Sequence, residues 1–103
     1  MLIRIVKLPV EPSKLEEFLQ YFNLSKNKIR NFEGCHQLKL LSDIKVKNIL
    51  YTYSVWESEL HLEKYIASEL FKTTWAKVKP LFSDKPQAWS LNELMTVDAT
   101  DKS

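Results

Sequence analysis

The segment from Asn48 to Val78 constrains the fold most, because it contains one strand followed by an interrupted helix. Its first part, Ile49–Trp56, is rich in β-branched and aromatic residues, which predicts a well-buried strand. Ser58 and Ser68 are both good helix caps, and apolar residues recur at helical spacing after each of them. The segment therefore predicts a strand and then two short helical pieces that join near Ala67-Ser68 and pack on that strand.

Patterning along the rest of the chain supplies the other elements. Period-two or helical spacing predicts strands at Leu2–Leu8, Cys35–Ser42 and about Ala88–Val97, and a helix at about Ser13–Arg30. The order is β-α-β-β-α-β, which is the ferredoxin-like arrangement of the α+β class. We expect a single domain over residues 1–97 and a loose polar tail over residues 98–103.

Strands one and three carry apolar residues on both faces. A sheet with helices on one face only should be polar on its other face. Something must therefore cover the second face, and no further element of the chain remains to do so. We predict a homodimer in which two sheets close into a dimeric α+β barrel around a two-fold axis.

Charge and composition exclude several classes of protein. The 15 basic and 13 acidic residues leave a formal charge of +2, which argues against a nucleic-acid partner. No apolar run approaches the roughly 20 residues that span a bilayer, so no membrane partner is expected. The single cysteine, Cys35, permits no internal disulfide, and the first residues lack the features of a signal peptide, so a reducing cytoplasm is expected. The single glycine excludes glycine-rich phosphate loops.

The strand ending Tyr-Ser-Val-Trp-Glu-Ser and the helix Tyr-Ile-Ala-Ser-Glu-Leu-Phe-Lys-Thr-Thr-Trp resemble the antibiotic biosynthesis monooxygenase domain family. That family belongs to the dimeric α+β barrel superfamily, and the resemblance extends over residues 3–94. Its members include cofactor-free monooxygenases of quinols and aromatic polyketides, haem-degrading monooxygenases and an isomerase-like branch. The resemblance implies a monooxygenase that uses neither metal nor flavin and acts with O₂ on a small aromatic or quinol-like substrate.

The chain departs from the motifs of individual branches of the family. The histidines of the quinol and signalling-molecule branches fall on Tyr65 and on Glu69-Leu70. The asparagine, tryptophan and histidine of the haem-degrading branch fall near Val6, on Tyr65 and on Trp75. Haem degradation of that type is therefore not expected, and the implied pocket lacks a strong acid–base residue.

Aromatic side chains are the main candidates for a site. Tyr65 and Trp75 are the catalytic candidates, since Tyr O–H and Trp N–H groups can donate hydrogen bonds to a developing oxyanion inside an apolar wall. The two are ten residues apart, nearly three helical turns, so both can face the sheet. The candidates for substrate binding are Tyr51, Tyr53, Trp56, Phe71 and Asn92. The alternative is that these aromatics only fill the core.

The two histidines are the only side chains that ordinarily titrate near neutral pH. His36 shares a strand face with Leu38 and Leu40, so it is either a third catalytic candidate or a buried or dimer-facing structural residue. His61 is expected to point toward solvent. Without matched cysteines or carboxylates the pair does not indicate a metal site.

Two functions from different classes remain open on the sequence. One is the cofactor-free monooxygenase, and the other is a non-catalytic dimeric module that binds a small aromatic ligand. A purely structural dimer would instead have a filled interior with no cavity for a ring system.

Overall fold

The computed structural model describes residues 1–100. The strands are β1 (Leu2–Pro9), β2 (Cys35–Ser42), β3 (Ile49–Trp56) and β4 (Gln87–Asn92), and the helices are α1 (Leu15–Arg30), α2 (Glu59–Ile66) and α3 (Glu69–Val78). Single 3₁₀ turns at Pro12–Lys14 and Lys79–Leu81 precede α1 and follow α3. The predicted first helix thus begins as a 3₁₀ turn and becomes regular at Leu15.

The four strands form one antiparallel sheet in the order β2-β3-β1-β4. This is the ferredoxin-like α+β fold that the sequence predicts. The predicted break in the second helix is also present, because the side chains of Ser58 and Ser68 accept the backbone N–H groups of His61 and Phe71. Within residues 1–100 no helix has the length and hydropathy needed to cross a bilayer.

The core lies between the helices and one face of the sheet, in two clusters. One cluster joins α1 and α3 to the sheet through Leu8, Val10, Phe18, Leu50, Val78 and Leu81. The other lies under α2 and consists of Leu2, Cys35, Trp56 and Leu62. Both clusters use the same row of alternate residues on β1 and β3, which is why a single sheet face holds the whole core.

The opposite face of the sheet, which we call the outer face, is also largely apolar. Its apolar residues are Ile3, Ile5, Leu41, Ile49, Tyr51, Tyr53, Val55, Trp89 and Leu91. The registers bring them side by side, since Ile5 lies between Tyr53 on β3 and Trp89 on β4. Trp89 is 43% exposed and Leu91 48% exposed, and the three helices pack on the other side.

The last strand is shorter than the sequence predicts, ending at Asn92 rather than Val97. Asn92 pairs with Leu2, which is the first residue of β1. The residues after Asn92 therefore lie past the end of β1, the strand with which β4 pairs. Leu94, Met95 and Val97 are accordingly 79–93% exposed. Of the predicted tail, residues 98–100 have neither helix nor strand, and residues 101–103 lie outside the described part of the chain.

Gly34 occupies the left-handed turn that the sequence predicts after the first helix, with a φ of +87°. A Cβ atom at this position would lie 2.5 Å from side-chain atoms of His61. We expect Gly34→Ala to lower the free energy of unfolding by about 2 kcal/mol, from backbone strain and from this contact. Urea denaturation measures the loss.

The double variant Gly34→Ala, His61→Gly separates the two causes of this loss. Removing the whole His61 side chain, Cβ included, relieves the contact but not the backbone strain, so partial recovery is expected relative to His61→Gly alone. An unchanged stability of Gly34→Ala would contradict both causes.

Candidate active site

Four of the predicted site residues form a continuous aromatic series from β3 to α3. Trp56 stacks on Tyr65 with ring centroids 4.9 Å apart and an interplanar angle of 26°. Tyr65 meets Phe71 edge to face at 5.3 Å, and Phe71 stacks on Trp75 at 5.8 Å. The break between α2 and α3 therefore leaves Tyr65 and Trp75 on the same side of the helical layer. Such pairs add to the energy of burial and hold the rings in position.

A cavity of about 440 Å³ lies between this aromatic series and the sheet. Its volume falls in the range of small-molecule sites, about 300–1,000 Å³. Trp56, Tyr65, Phe71 and Trp75 all line it, together with apolar residues of β1 and α1. The core-filling interpretation requires that the aromatics fill the space between the helices and the sheet. The cavity shows that they do not fill it completely.

The cavity opens near the end of α3 and the start of β4. The exposed members of its lining are Lys79, Gln87 and Ala88. Deeper in the wall, the lining residues Val6, Leu8, Phe18 and Trp56 are at least partly buried. A flat aromatic molecule could therefore enter beside Gln87 and reach an apolar interior.

Tyr65 lines this cavity and carries a hydroxyl group. No hydrogen bond from that hydroxyl to another group is present within residues 1–100, and no polar side-chain atom there is both buried and unpaired. The hydroxyl is therefore not sealed in the core and has no partner among these residues. Burial raises the pKa of Tyr65, and the negative charge that Cys35 carries when it is ionised raises it further. Tyr65 is thus a neutral O–H donor throughout the physiological pH range.

The two cavity tryptophans differ in the use of their N–H groups. Trp56 Nε1 donates to Ser54 Oγ at 2.9 Å, and Ser54 Oγ lies 3.5 Å from the Arg4 carbonyl oxygen. Trp56 therefore has no free donor, and because only 1% of the residue is exposed, its ring supports the cavity wall from within the core. The Trp75 N–H has no such partner among residues 1–100, so it can donate to a ligand.

Arg4 is a cavity residue that the sequence reasoning missed. It lies on the helix-facing row of β1 between Leu2 and Val6, is partly buried, and lines the cavity. Burial lowers the pKa of its guanidinium, which nevertheless stays protonated. Its one side-chain hydrogen bond is from NH1 to Ser90 Oγ at 3.0 Å. A charged residue in an otherwise apolar row of a strand was the signal that could have identified it.

Three of the predicted substrate-binding residues lie away from the cavity. Tyr51 and Tyr53 are on the outer face, where the Lys39 ammonium lies 5.6 Å from the Tyr53 ring centroid. Asn92 is exposed at the end of β4 and does not line the cavity. The structure therefore brings Trp56 and Phe71 to Tyr65 and Trp75, but not these three residues.

His36 also lies outside the cavity, and a bulge in β2 explains its position. The register shifts between Cys35 and Gln37, so Cys35 enters the core opposite Trp56. His36 is exposed instead of sharing the buried face with Leu38, as the alternation predicted. Its Nε2 atom lies 3.3 Å from a carboxylate oxygen of Glu57. The Cys35 thiol lies in the core, and its pKa is raised mainly because of burial.

His61 is less exposed than its helical position predicts. Its side chain is 20% exposed and packs over Gly34. Its Nδ1 lies 2.7 Å from Ser58 Oγ, and its Nε2 lies 3.4 Å from the other oxygen of Glu57. Although Glu57 thus contacts both histidines, residues 1–100 contain no group of three His, Cys, Asp or Glu side chains that could hold a metal ion.

Several solved structures share this fold. Among solved structures, a conserved protein from Methanosarcina mazei Go1 superposes with a TM-score of 0.84 at 22% identity, covering 90% of this chain and 93% of that one. Rv0793 from Mycobacterium tuberculosis superposes with a TM-score of 0.85 at 15% identity, covering 94% and 98% of the two chains. At these identities the superpositions establish a shared fold.

A third solved structure carries the name antibiotic biosynthesis monooxygenase. It superposes with a TM-score of 0.86 at 17% identity and covers 92% of this chain and 100% of that one. No curated protein matches the sequence significantly. The sequence profile of the family described as antibiotic biosynthesis monooxygenase matches residues 1–77, which include β1 to β3 and nearly all of the helical layer. The chain therefore belongs to the antibiotic biosynthesis monooxygenase family.

Proposed function

We propose that this protein is a cofactor-independent monooxygenase that oxidises a small aromatic or quinol-like substrate with O₂. The observation that carries the proposal is the cavity of about 440 Å³ whose aromatic wall includes Tyr65, a neutral donor with no hydrogen-bond partner within residues 1–100. Membership of the family supports the class of reaction.

The reaction needs a substrate that can supply all the electrons. An activated methylene between two aromatic rings loses its two C–H bonds and gains one C=O bond, while the second oxygen atom of O₂ leaves as water. The ionised substrate attacks O₂, and negative charge develops on oxygen. Tyr65 and Trp75 would donate hydrogen bonds to that charge, and the apolar wall would keep water away from the reactive carbanion.

Oxygen consumption by the purified protein tests the proposal. The substrates are a panel of hydroquinones and anthrone-like phenols, each corrected for its own autoxidation. We expect saturable, enzyme-dependent uptake with at least one of them. If no member of the panel is oxidised faster than its background rate by folded protein, the monooxygenase proposal fails.

The same cavity supports a second candidate, a non-catalytic module for a small aromatic ligand. The observation that favours it is that no His, Asp or Glu lines the cavity within residues 1–100, so the wall offers no ordinary general base. This candidate predicts saturable quenching of tryptophan fluorescence by aromatic ligands without any oxygen consumption.

We propose further that the protein acts as a homodimer through its outer face. That face presents apolar side chains from all four strands, with Trp89 and Leu91 close to half exposed. An apolar surface of this kind is typical of an interface, and a two-fold axis would place the same residues of both copies against each other. The two sheets would then form the barrel expected from the sequence. The lone, buried Cys35 thiol accords with a cytoplasmic location, which we propose with it.

A charge at the centre of the outer face tests the dimer. We expect Ile5→Glu to weaken dimerisation by about a hundredfold or more, because an unpaired carboxylate would be buried between Tyr53 and Trp89. Sedimentation over a range of concentrations measures the dissociation constant. Lys72→Glu, on the exposed side of α3, is the control and should leave it unchanged. Equal dissociation constants for the two variants would argue against this interface.

A further inference from the structure

The cavity is positively charged. Arg4 and Lys79 line it, and no acidic side chain of residues 1–100 does. Arg4 has only the neutral Ser90 hydroxyl as a side-chain partner, and within residues 1–100 no carboxylate lies within 4.0 Å of its guanidinium. The guanidinium is partly buried, its hydrogen bond to Ser90 is open to solvent, and its positive charge is available to an anionic ligand.

The backbone of Arg4 lies one strand away from the aromatic wall. It pairs in register with Ser54 on β3, and Trp56 is the next residue along the same face of that strand. Trp56 in turn stacks on Tyr65. The guanidinium itself leans toward β4, where its NH1 donates to Ser90 Oγ, so a ring in the cavity would bring a substituent that faces β4 beside it.

The proposed reaction needs an ionised substrate, and this inference rests on that proposal. The ionisable side chains of residues 1–100 that line the cavity include the cations Arg4 and Lys79 but no carboxylate or histidine that could take a proton from the substrate. Tyr65 is a neutral donor, because burial raises the pKa of its hydroxyl. A substrate that arrives already ionised has given its first proton to solvent before it binds. The second leaves as the O–O bond of the hydroperoxide breaks, and it combines with the departing hydroxide to form the water. The ionised substrate needs a cation that stabilises the anion.

We propose that Arg4 binds the acidic group of an anionic aromatic substrate, one that carries an ionised oxygen on or beside its ring system. The guanidinium presents a planar set of N–H donors. Two of these donors can bind the two oxygens of a carboxylate, or two neighbouring oxygens of a ring system. Lys79, exposed at the mouth, adds a weaker attraction that solvent and salt screen. Neutral quinols of the same size are then poorer ligands than their anions.

Binding of a matched pair of probes tests the proposal. The probes are 2-naphthoate and its neutral amide, 2-naphthamide, and isothermal titration calorimetry with the full-length protein measures both dissociation constants. We expect the wild type to bind the carboxylate about tenfold or more tightly than the amide. Arg4→Gln should abolish this preference but leave the affinity for the amide unchanged within about twofold.

Two further variants separate a direct contact from the general field of the protein. Lys72→Gln removes one positive charge from the exposed face of α3 and should leave the preference intact. Arg4→Lys keeps the positive charge but loses the paired N–H donors of the guanidinium, so it should retain part of the preference. An equal effect of Lys72→Gln and Arg4→Gln would overturn the direct contact.

The binding experiment is independent of turnover. Equal binding of the two probes by the wild type overturns the role of Arg4 and leaves the monooxygenase proposal standing. Conversely, a strong preference for the carboxylate without oxygen uptake from any substrate overturns the monooxygenase and supports an anion-binding module. If neither probe binds, the role of Arg4 and the aromatic ligand class are both wrong.

Discussion

Replacing Trp56 by alanine is expected to lower the free energy of unfolding by about 3–5 kcal/mol. Trp56 is only 1% exposed, so truncation to alanine removes one of the largest buried side chains. It also removes the stack on Tyr65 and the edge-to-face contact with Phe32, and it leaves Ser54 without its indole donor. Urea denaturation, followed by circular dichroism, measures the effect.

Trp56→Phe is the matched variant for this experiment. It keeps an aromatic ring in the stack but loses the N–H donor and part of the volume, so we expect it to cost less than half as much. A loss below about 1 kcal/mol for Trp56→Ala would mean that the contact between β3 and α2 does not stabilise the fold as its burial implies.

Replacing Tyr65 by phenylalanine is expected to lower kcat by about a hundredfold to a thousandfold with little change in KM. The substitution removes only the hydroxyl, so the stack on Trp56 and the contact with Phe71 should persist. A donor that acts on charge in the transition state affects turnover more than binding. Initial rates of oxygen uptake on the best substrate of the panel measure both constants.

Tyr51→Phe is the control for this prediction, because it removes the same hydroxyl from the outer face. We expect its rate to match that of the wild type. If Tyr65→Phe retains full activity, Tyr65 is a structural part of the wall and the oxyanion donor must be sought elsewhere.

The raised pKa of Tyr65 also predicts how stability depends on pH. The folded protein holds Tyr65 in its protonated form more strongly than the unfolded chain does, in which the pKa is near 10.0. This contribution to stability is complete below that pH and is lost as the pH rises toward the higher folded pKa. The Tyr65→Phe variant should therefore lose less stability than the wild type in alkaline solution.

Much of the fold could be predicted because local sequence patterns mark where its strands and helices begin and end. The bounds of β2 and β3 and the interruption of the second helix at Ser68 all follow from alternation and capping residues. The end of β4 could not be read in the same way. The residues after Asn92 continue an apolar pattern, and only the register with β1 shows that no partner strand remains for them.

The site was less predictable than the fold. Alternation along β3 already separates Tyr53 from Trp56, but it does not say which face has a cavity. The bulge that exposes His36 is a matter of pairing between strands, and nothing in the local sequence marks it. The sequence shows Arg4 as a charged residue in an apolar row of β1. Its proposed role in binding an anion depends on the lack of acidic side chains among the described residues that line the cavity, and only the packed structure reveals that.

The most direct test of the central claim is the fate of labelled oxygen. The purified protein is given ¹⁸O₂ with the best substrate of the panel, and the product is analysed by mass spectrometry. A monooxygenase places one labelled oxygen atom in each product molecule and releases the other as water. Products that carry no label, formed at the rate of the uncatalysed reaction, would contradict the proposed reaction and leave the cavity as a binding site.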